Sequence, residues 1–577
     1  MLLETPVPVI EGTGNRADLL DTLLGDPWDE ANPVGYPEIL ASDERQEMFP
    51  AGERYLDTFG LNAEFVPVEH GGRFTQVDRL AEILRTVWRR DPCLGLGYGF
   101  SSFIASVNLW SAGTAEQQRA AAELLLSGRK IASVYHELAH GNDFSRAEFA
   151  GSRGPDGGWL LNGTKDVVTN FQRSAALVVF TRTDPARGSR SHSQFFVRKD
   201  GLPEGALEYL PRFPSSGMRG VQLGGGEFTD CPTPASSLLG AEGQGIETAL
   251  RSFQLTRSIL PSMCAGILDS GIRTALSCAL DRRLYGDTVA ALPYVRSVIA
   301  RAFADLLAVD ALSTVVLRAL HLLPSETAVF ASATKYLGSR MLIDAMDELR
   351  TVLGAQGFLR EGRYAIFQKL HRDLAPAGFG HASRAACQVT ILPQLPRLAR
   401  RSWFTDASAP AALFRIGTAL DPLDFTALAA GSPRSDGLSA ALVEISEQCP
   451  PDTLVGRLAA RFRAELAALR EECGRLAPRD ITIGASPQAY ALAGRYTVVL
   501  AAAACLGVWW HGRDTARPPL DETSLAAALD RLVGRLDGPS VLTTAEREAV
   551  EEEMFRSAVR RLDDRRLFDL TARRIPG

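Results

Sequence analysis

The apolar spacing of this chain changes twice along its length, and that change limits the possible folds more than any other feature. Through residue 130, RADLLDTLL, VDRLAEILRTVWRR and TAEQQRAAAELLLSG repeat apolar residues every three or four positions, the spacing of one helical face. FVPVEHGGRF is a Pro/Gly break between two of these helices. From 131 to 243 short β-branched and aromatic runs take over: WLLNGTKDVVTN, AALVVFTRT, SQFFVRK and VQLGGGEFTD. Turn compositions such as GPDGG and FPSSG separate them, so a small barrel or sandwich is expected. Helical spacing returns at 244 and holds to 398, in segments long enough for a bundle. Residues 399–435 read as a linker, and 436–577 as a helical extension with alternating charge on one face. The expected fold is α+β, in the order 1–130 helical, 131–243 β, 244–398 bundle, linker, extension. No GxGxxG follows a strand near the front, which excludes a Rossmann domain. GGGEF at 224–228 reads as a turn.

A chain of 577 residues exceeds one ordinary domain. Its net charge of −6 gives no global attraction to nucleic acid or to an anionic membrane. Eight cysteines without CxxC or Cys/His spacing argue for reduced core thiols, as in a cytoplasmic protein, and against a disulfide framework or a zinc site. The start, MLLETPVPVIEGTGNRADLL, lacks the basic and apolar blocks of a secretory signal. The apolar run YTVVLAAAACLGVWW is short for a membrane span and is expected to be a buried helix.

An ordered set of motifs over residues 40–395 resembles the acyl-CoA dehydrogenase family. VPVEHGG resembles its proline and double-glycine loop, and YHELAHGNDFSR its flavin loop T-E-P-x-A-G-S-D, with His136 at the threonine and Asn142 at the serine. LNGTKDVVTN matches N-G-x-K-x-W-I-T-N, with Val167 replacing tryptophan; DRRLYG matches R-x-x-F-G; LGAQGF and KLHRD match L-G-G-x-G-F and K-L-x-R-D. The resemblance implies non-covalent FAD. It places Ser133, Tyr135, His136 and Asn142 at the flavin through the first loop, and Val167, Val168 and Thr169 beside the isoalloxazine ring. Arg282 and Tyr285, with Gly354 and Gln356, would serve the pyrophosphate and adenosine end across a subunit interface, so a homodimer or homotetramer is expected. Ser383 completes the cofactor set. Arg190 and Arg257 are candidate contacts to an acyl-CoA or acyl-carrier-protein substrate, and electron-transfer flavoprotein or oxygen is the expected electron acceptor.

One departure bears on the chemistry. In the family a glutamate takes the α-proton of the thioester; the position it would occupy here falls on His381, within GFGHAS, and the alternative position is Thr256. A histidine titrates near neutral pH and can accept that proton, so His381 is the candidate base. Three functions follow: a flavin-dependent desaturase of an acyl thioester, a flavin monooxygenase or oxidase on the same fold, or a non-catalytic binding subunit.

Overall fold

The computed structural model describes residues 14–405, 408–431, 433 and 435–576. The reading of the first residues as free of a signal falls on 1–13, outside that set. The chain divides into two compact units: Met1–Gln76, Asp91–Thr256 and Pro422–Ala430 form the first, and Val77–Arg90, Arg257–Asp421 and Gly431–Gly577 the second. The five spans read from the sequence are therefore shared out differently. The Val77–Arg90 helix joins the bundle and the extension, and the 399–435 segment contributes to both units.

The first unit is built on one eight-stranded mixed sheet: β1 (Ile131–Val134), β2 (Ala150–Arg153), β3 (Trp159–Thr169), β4 (Ala176–Arg182), β5 (His192–Arg198), β6 (Leu207–Leu210), β7 (Leu223–Thr233) and β8 (Leu238–Leu239). Its order is β6-β7-β3-β2-β4-β5-β8, with β1 parallel to β4. Phe149, Trp159, Leu161, Phe171, Phe195 and Phe228 form a dry core against it. The Ala115–Leu126 helix starts at a capping box of Thr114 and Gln117, which satisfies two otherwise orphaned N–H groups. The Gln117 amide also donates to Ser236 O and Leu238 O, fastening that helix to the sheet.

Gly224–Phe228, read as a turn, instead lies inside β7. A Cβ on Gly225 would stand 2.1 Å from Lys165 O, and one on Gly226 would stand 2.5 Å from the Phe171 ring. These glycines let β7 lie close across β3, and their turn-like composition hid a strand.

The second unit is helical. The Pro293–Leu322, Thr327–Leu353 and Pro487–Gly512 helices are buried along most of their length. The apolar run expected to be a buried helix is the centre of the last of these. That helix and Gly245–Asp281 are long and apolar enough to cross a membrane, yet both are largely covered by protein. All eight cysteines are buried free thiols.

Three arginines inside this apolar unit are paired with carboxylates. Arg85 is held by Asp310 (2.5 Å), Asp569 (3.0 Å) and Ser262 Oγ (2.7 Å), joining three distant segments. Arg318 pairs with Asp78, and Arg531 grips Asp305 with two N–H groups. Removing one partner of a buried pair strands the other charge. Asp310→Ala is therefore expected to destabilise the protein by about 3–5 kcal/mol, read as a lower midpoint of chemical unfolding followed by circular dichroism. A midpoint equal to the parent's contradicts this.

Candidate functional site

In the first unit, β1 delivers the chain into a loop at Tyr135–Asp143. Two anchors fix it. The fully buried Lys165 ammonium donates to Tyr135 O (3.0 Å) and Glu137 Oε1 (2.8 Å), and Glu137 also accepts the N–H groups of Glu148 and Phe149. Burial pulls Lys165 down to about 8. At Glu137 burial opposes the charge, but Lys165 and the two backbone donors overcome it and hold the carboxyl below its usual range. The second anchor is Asp166: its Oδ1 accepts Leu138 N (2.7 Å) and its own N–H donates to His136 O (3.3 Å).

The Tyr135 side chain is committed to the core. Its hydroxyl donates to Asn108 Oδ1 (2.8 Å), and its ring stacks on Phe180, which stacks on His192. Only its backbone is left to meet a ligand. His136 is half-buried, packs against Phe144 and is held below its ordinary pKa by burial, which favours the neutral ring. The Ser133 hydroxyl and the Asn142 amide, both half-buried, make no hydrogen bond among the described residues.

β3 breaks its register with β7 between Lys165 and Val168. Val167 sits in that bulge at φ 58°, a backbone conformation that a β-branched residue adopts only under strain. Bulges of this kind redirect the residues that follow. Here those are Val168, buried at 1% exposure, and Thr169, whose half-buried hydroxyl is unspent among the described residues. Arg190 lies exposed in the loop between β4 and β5.

In the second unit Arg257 is buried and donates to Ser332 Oγ (3.2 Å). The Gly245–Asp281 helix ends one residue before Arg282, and a two-stranded hairpin follows, Arg283–Leu284 against Asp287–Thr288. Tyr285 and Gly286 turn it, both at positive φ, the geometry of a tight two-residue hairpin turn. Tyr285 is 91% exposed. Gly354, also at positive φ, would place a Cβ 3.7 Å from an Arg282 Nη atom, so the structure brings these two predicted residues together. Gln356 is exposed in the next turn. Arg282 spends only one long bond (3.5 Å), on Leu353 O, and pairs with no carboxylate among the described residues. Ser383 caps the Arg384–Ile391 helix by accepting Ala386 N (3.2 Å), which commits its oxygen to the fold. His381 is half-buried at φ 62°.

Sequence reasoning passed over Lys165 and Asp166, both inside the quoted LNGTKDVVTN, and Asn108 and Lys335, which carried no local signal.

An eight-stranded mixed sheet with helical segments before and after it, a bulged strand beside a pinned loop, and a hairpin arginine against a glycine turn define the acyl-CoA dehydrogenase fold. Residues 243–380 match the model of the acyl-CoA dehydrogenase C-terminal domain. The human mitochondrial short-chain specific acyl-CoA dehydrogenase is 27% identical over 260 residues, 45% of this chain and 62% of that protein. The chain thus spans about three-fifths of that relative. An acyl-CoA dehydrogenase complexed with FAD from Bacillus anthracis superimposes with a TM-score of 0.64 at 17% identity, covering 96% of this chain and 93% of that one. The prolyl acyl carrier protein oxidase AnaB does so with a TM-score of 0.57 at 19% identity, over 62% and 93%. The fold is that of the acyl-CoA dehydrogenases, and residues 243–380 carry the match to that family's C-terminal domain.

The strain at Val167 is testable. Val167→Gly is expected to leave stability equal to the parent or about 1 kcal/mol higher, because glycine relieves the positive φ. Val168→Gly, at a buried position of ordinary φ, should cost about 2 kcal/mol or more. Chemical unfolding of both variants checks the contrast.

Proposed function

We propose that this chain is an FAD-dependent oxidoreductase that oxidises an acyl thioester between its α and β carbons. The observation that carries this reading is the set of donors left unspent at the motif positions: the Ser133 and Thr169 hydroxyls, the Asn142 amide and the Arg282 guanidinium. Such groups fit FAD. Neutral hydroxyl and amide groups suit the flavin's polar edge, and a forked guanidinium suits a pyrophosphate. Tyr135 and His136 would present backbone groups and a neutral imidazole to the same edge, and Val168 a dry wall. When bound, FAD supplies a two-electron acceptor for the hydride that leaves the β-carbon.

This chain's own residues do the rest. His381 takes the α-proton on its imidazole, so the substrate loses a proton and a hydride and gains a carbon–carbon double bond. Thr256 cannot serve, because its buried hydroxyl carries no acidity in the useful range and turns back to Phe253 O. Arg190 would meet a phosphate of the thioester's carrier arm, and Arg257 the acyl end. The likeness to AnaB supports a carrier-protein thioester beside a CoA ester. Arg282, Tyr285, Gly354 and Gln356 would complete the flavin site of a second copy, and Tyr285 and Phe358, at 91% and 86% exposure, are the apolar surface such a copy would cover. Electron-transfer flavoprotein or oxygen would reoxidise the flavin.

The test mixes the purified flavoprotein, without oxygen, with butyryl-CoA and with a prolyl thioester on a carrier protein. Direct bleaching of the flavin supports the reading, and His381→Ala should slow it about 100-fold or more. If neither thioester bleaches it, while NAD(P)H reduces it and a product then forms only with oxygen, the reading gives way to monooxygenation.

A further inference from the structure

Lys335 sits at 1% exposure in the Thr327–Leu353 helix, which is buried along most of its length. A leucine would pack there without desolvating a charge, so the ammonium needs a reason. It donates to Ala377 O, and no carboxylate lies within ion-pair distance of it among the described residues. The groups that face it are the thiols of Cys264 and Cys387 and the guanidinium groups of Arg257 and Arg384. Burial pushes the Cys264 thiol up to about 12 and raises Cys387 as well, so neither offers a counter-charge near neutral pH. The carbonyl of Ala377 is what this ammonium holds.

Ala377 belongs to the turn Ala375–Gly378, from which hydrogen bonds lead straight to His381. Pro376 O accepts both Phe379 N (3.2 Å) and Gly380 N (2.7 Å). A Cβ on Gly380 would stand 2.9 Å from that oxygen, so the approach requires glycine. Gly380 O then accepts Ala382 N (2.8 Å). That closes a three-residue turn centred on His381 at φ 62°, the rare, strained hand of the γ-turn. On the far side Ser383 caps the next helix. A segment with two glycines and one strained histidine does not hold such a shape by itself.

We infer that Lys335 is a positioning residue, whose buried ammonium clamps the 375–383 turn and thereby sets the direction of the His381 imidazole. The inference rests on the reading of His381 as the base, but the clamp can be measured without turnover.

The experiment is hydrogen–deuterium exchange on the full-length flavin-loaded protein, following a peptide that contains the amides of Phe379, Gly380 and Ala382. Lys335→Met removes a buried charge and keeps the volume, so it is expected to fold. Exchange in that peptide should rise about tenfold or more, while Lys335→Arg stays within about twofold of the parent and the Pro293–Leu322 helix is unchanged. Equal protection in the methionine variant and the parent overturns the clamp.

A second arm covers the case in which the methionine variant does not fold. Burial pulls Lys335 down to about 8, so the parent loses the ammonium as pH rises through that value, whereas arginine does not. After correction for intrinsic exchange, moving from about pH 7 to about pH 9.5 should loosen the turn in the parent but not in Lys335→Arg. Identical behaviour of the two proteins sinks the proposal. Where butyryl-CoA or the prolyl thioester bleaches the flavin, Lys335→Met should slow bleaching, and adding it to His381→Ala should slow it no further. Additive losses overturn the link to His381. If neither thioester bleaches the parent, the proposed function fails while the exchange result still decides the clamp.

Discussion

A buried ammonium must spend its donors or lose its proton, and at two loops of this chain that constraint fixes the backbone. Lys165 in the first unit and Lys335 in the second are both almost fully enclosed. Burial pulls both down to about 8. Each donates to the carbonyl of a loop residue, Tyr135 in one case and Ala377 in the other. The two loops are Tyr135–Asp143 and the segment that carries His381, both singled out by the family resemblance. A lysine stem of four carbons reaches from a rigid strand or helix into a loop that has little packing of its own.

The two anchors differ in charge balance. Lys165 has a carboxylate, Glu137, which two further donors, the Glu148 and Phe149 N–H groups, help keep ionised. Lys335 has a carbonyl, two thiols and the like-charged Arg257 and Arg384 around it, and no carboxylate within ion-pair distance among the described residues. Its charge has no carboxylate to balance it, and the proposed clamp on the 375–383 turn is lost as pH rises through about 8. Three arginines of the second unit follow the stricter rule. Arg85, Arg318 and Arg531 each meet a carboxylate, and through those pairs the extension and the C-terminal segment are joined to the bundle.

Strain marks the same places. Val167 and His381 both hold a positive φ that neither residue type favours. Val167 lies within the LNGTKDVVTN motif, and His381 at the position where the resemblance places the family's base. Backbone strain persists only where surrounding structure over-determines it, and in both cases the over-determining contacts can be named: the Asp166 hydrogen bonds for one, and the Pro376 and Gly380 carbonyls for the other.

Residue order alone determined the succession of helical, β and helical segments, because a period of two or of three to four residues is written locally. It also determined the strands at 159–169 and 192–198 nearly to the residue, and the motif positions that define the family resemblance. Gly224–Gly226 misled, since a glycine run reads as a turn until the close approach of β3 to β7 is seen. Tertiary structure alone decided that the Val77–Arg90 helix sides with the bundle, that Tyr135 turns its ring into the core, and that Ser383 spends its hydroxyl on a helix end. It also decided that a mid-helix lysine, silent in any sequence pattern, holds the turn at 377. Those outcomes depend on partners tens or hundreds of residues away, and a hydrogen bond or a buried charge is fixed by what folding brings beside it.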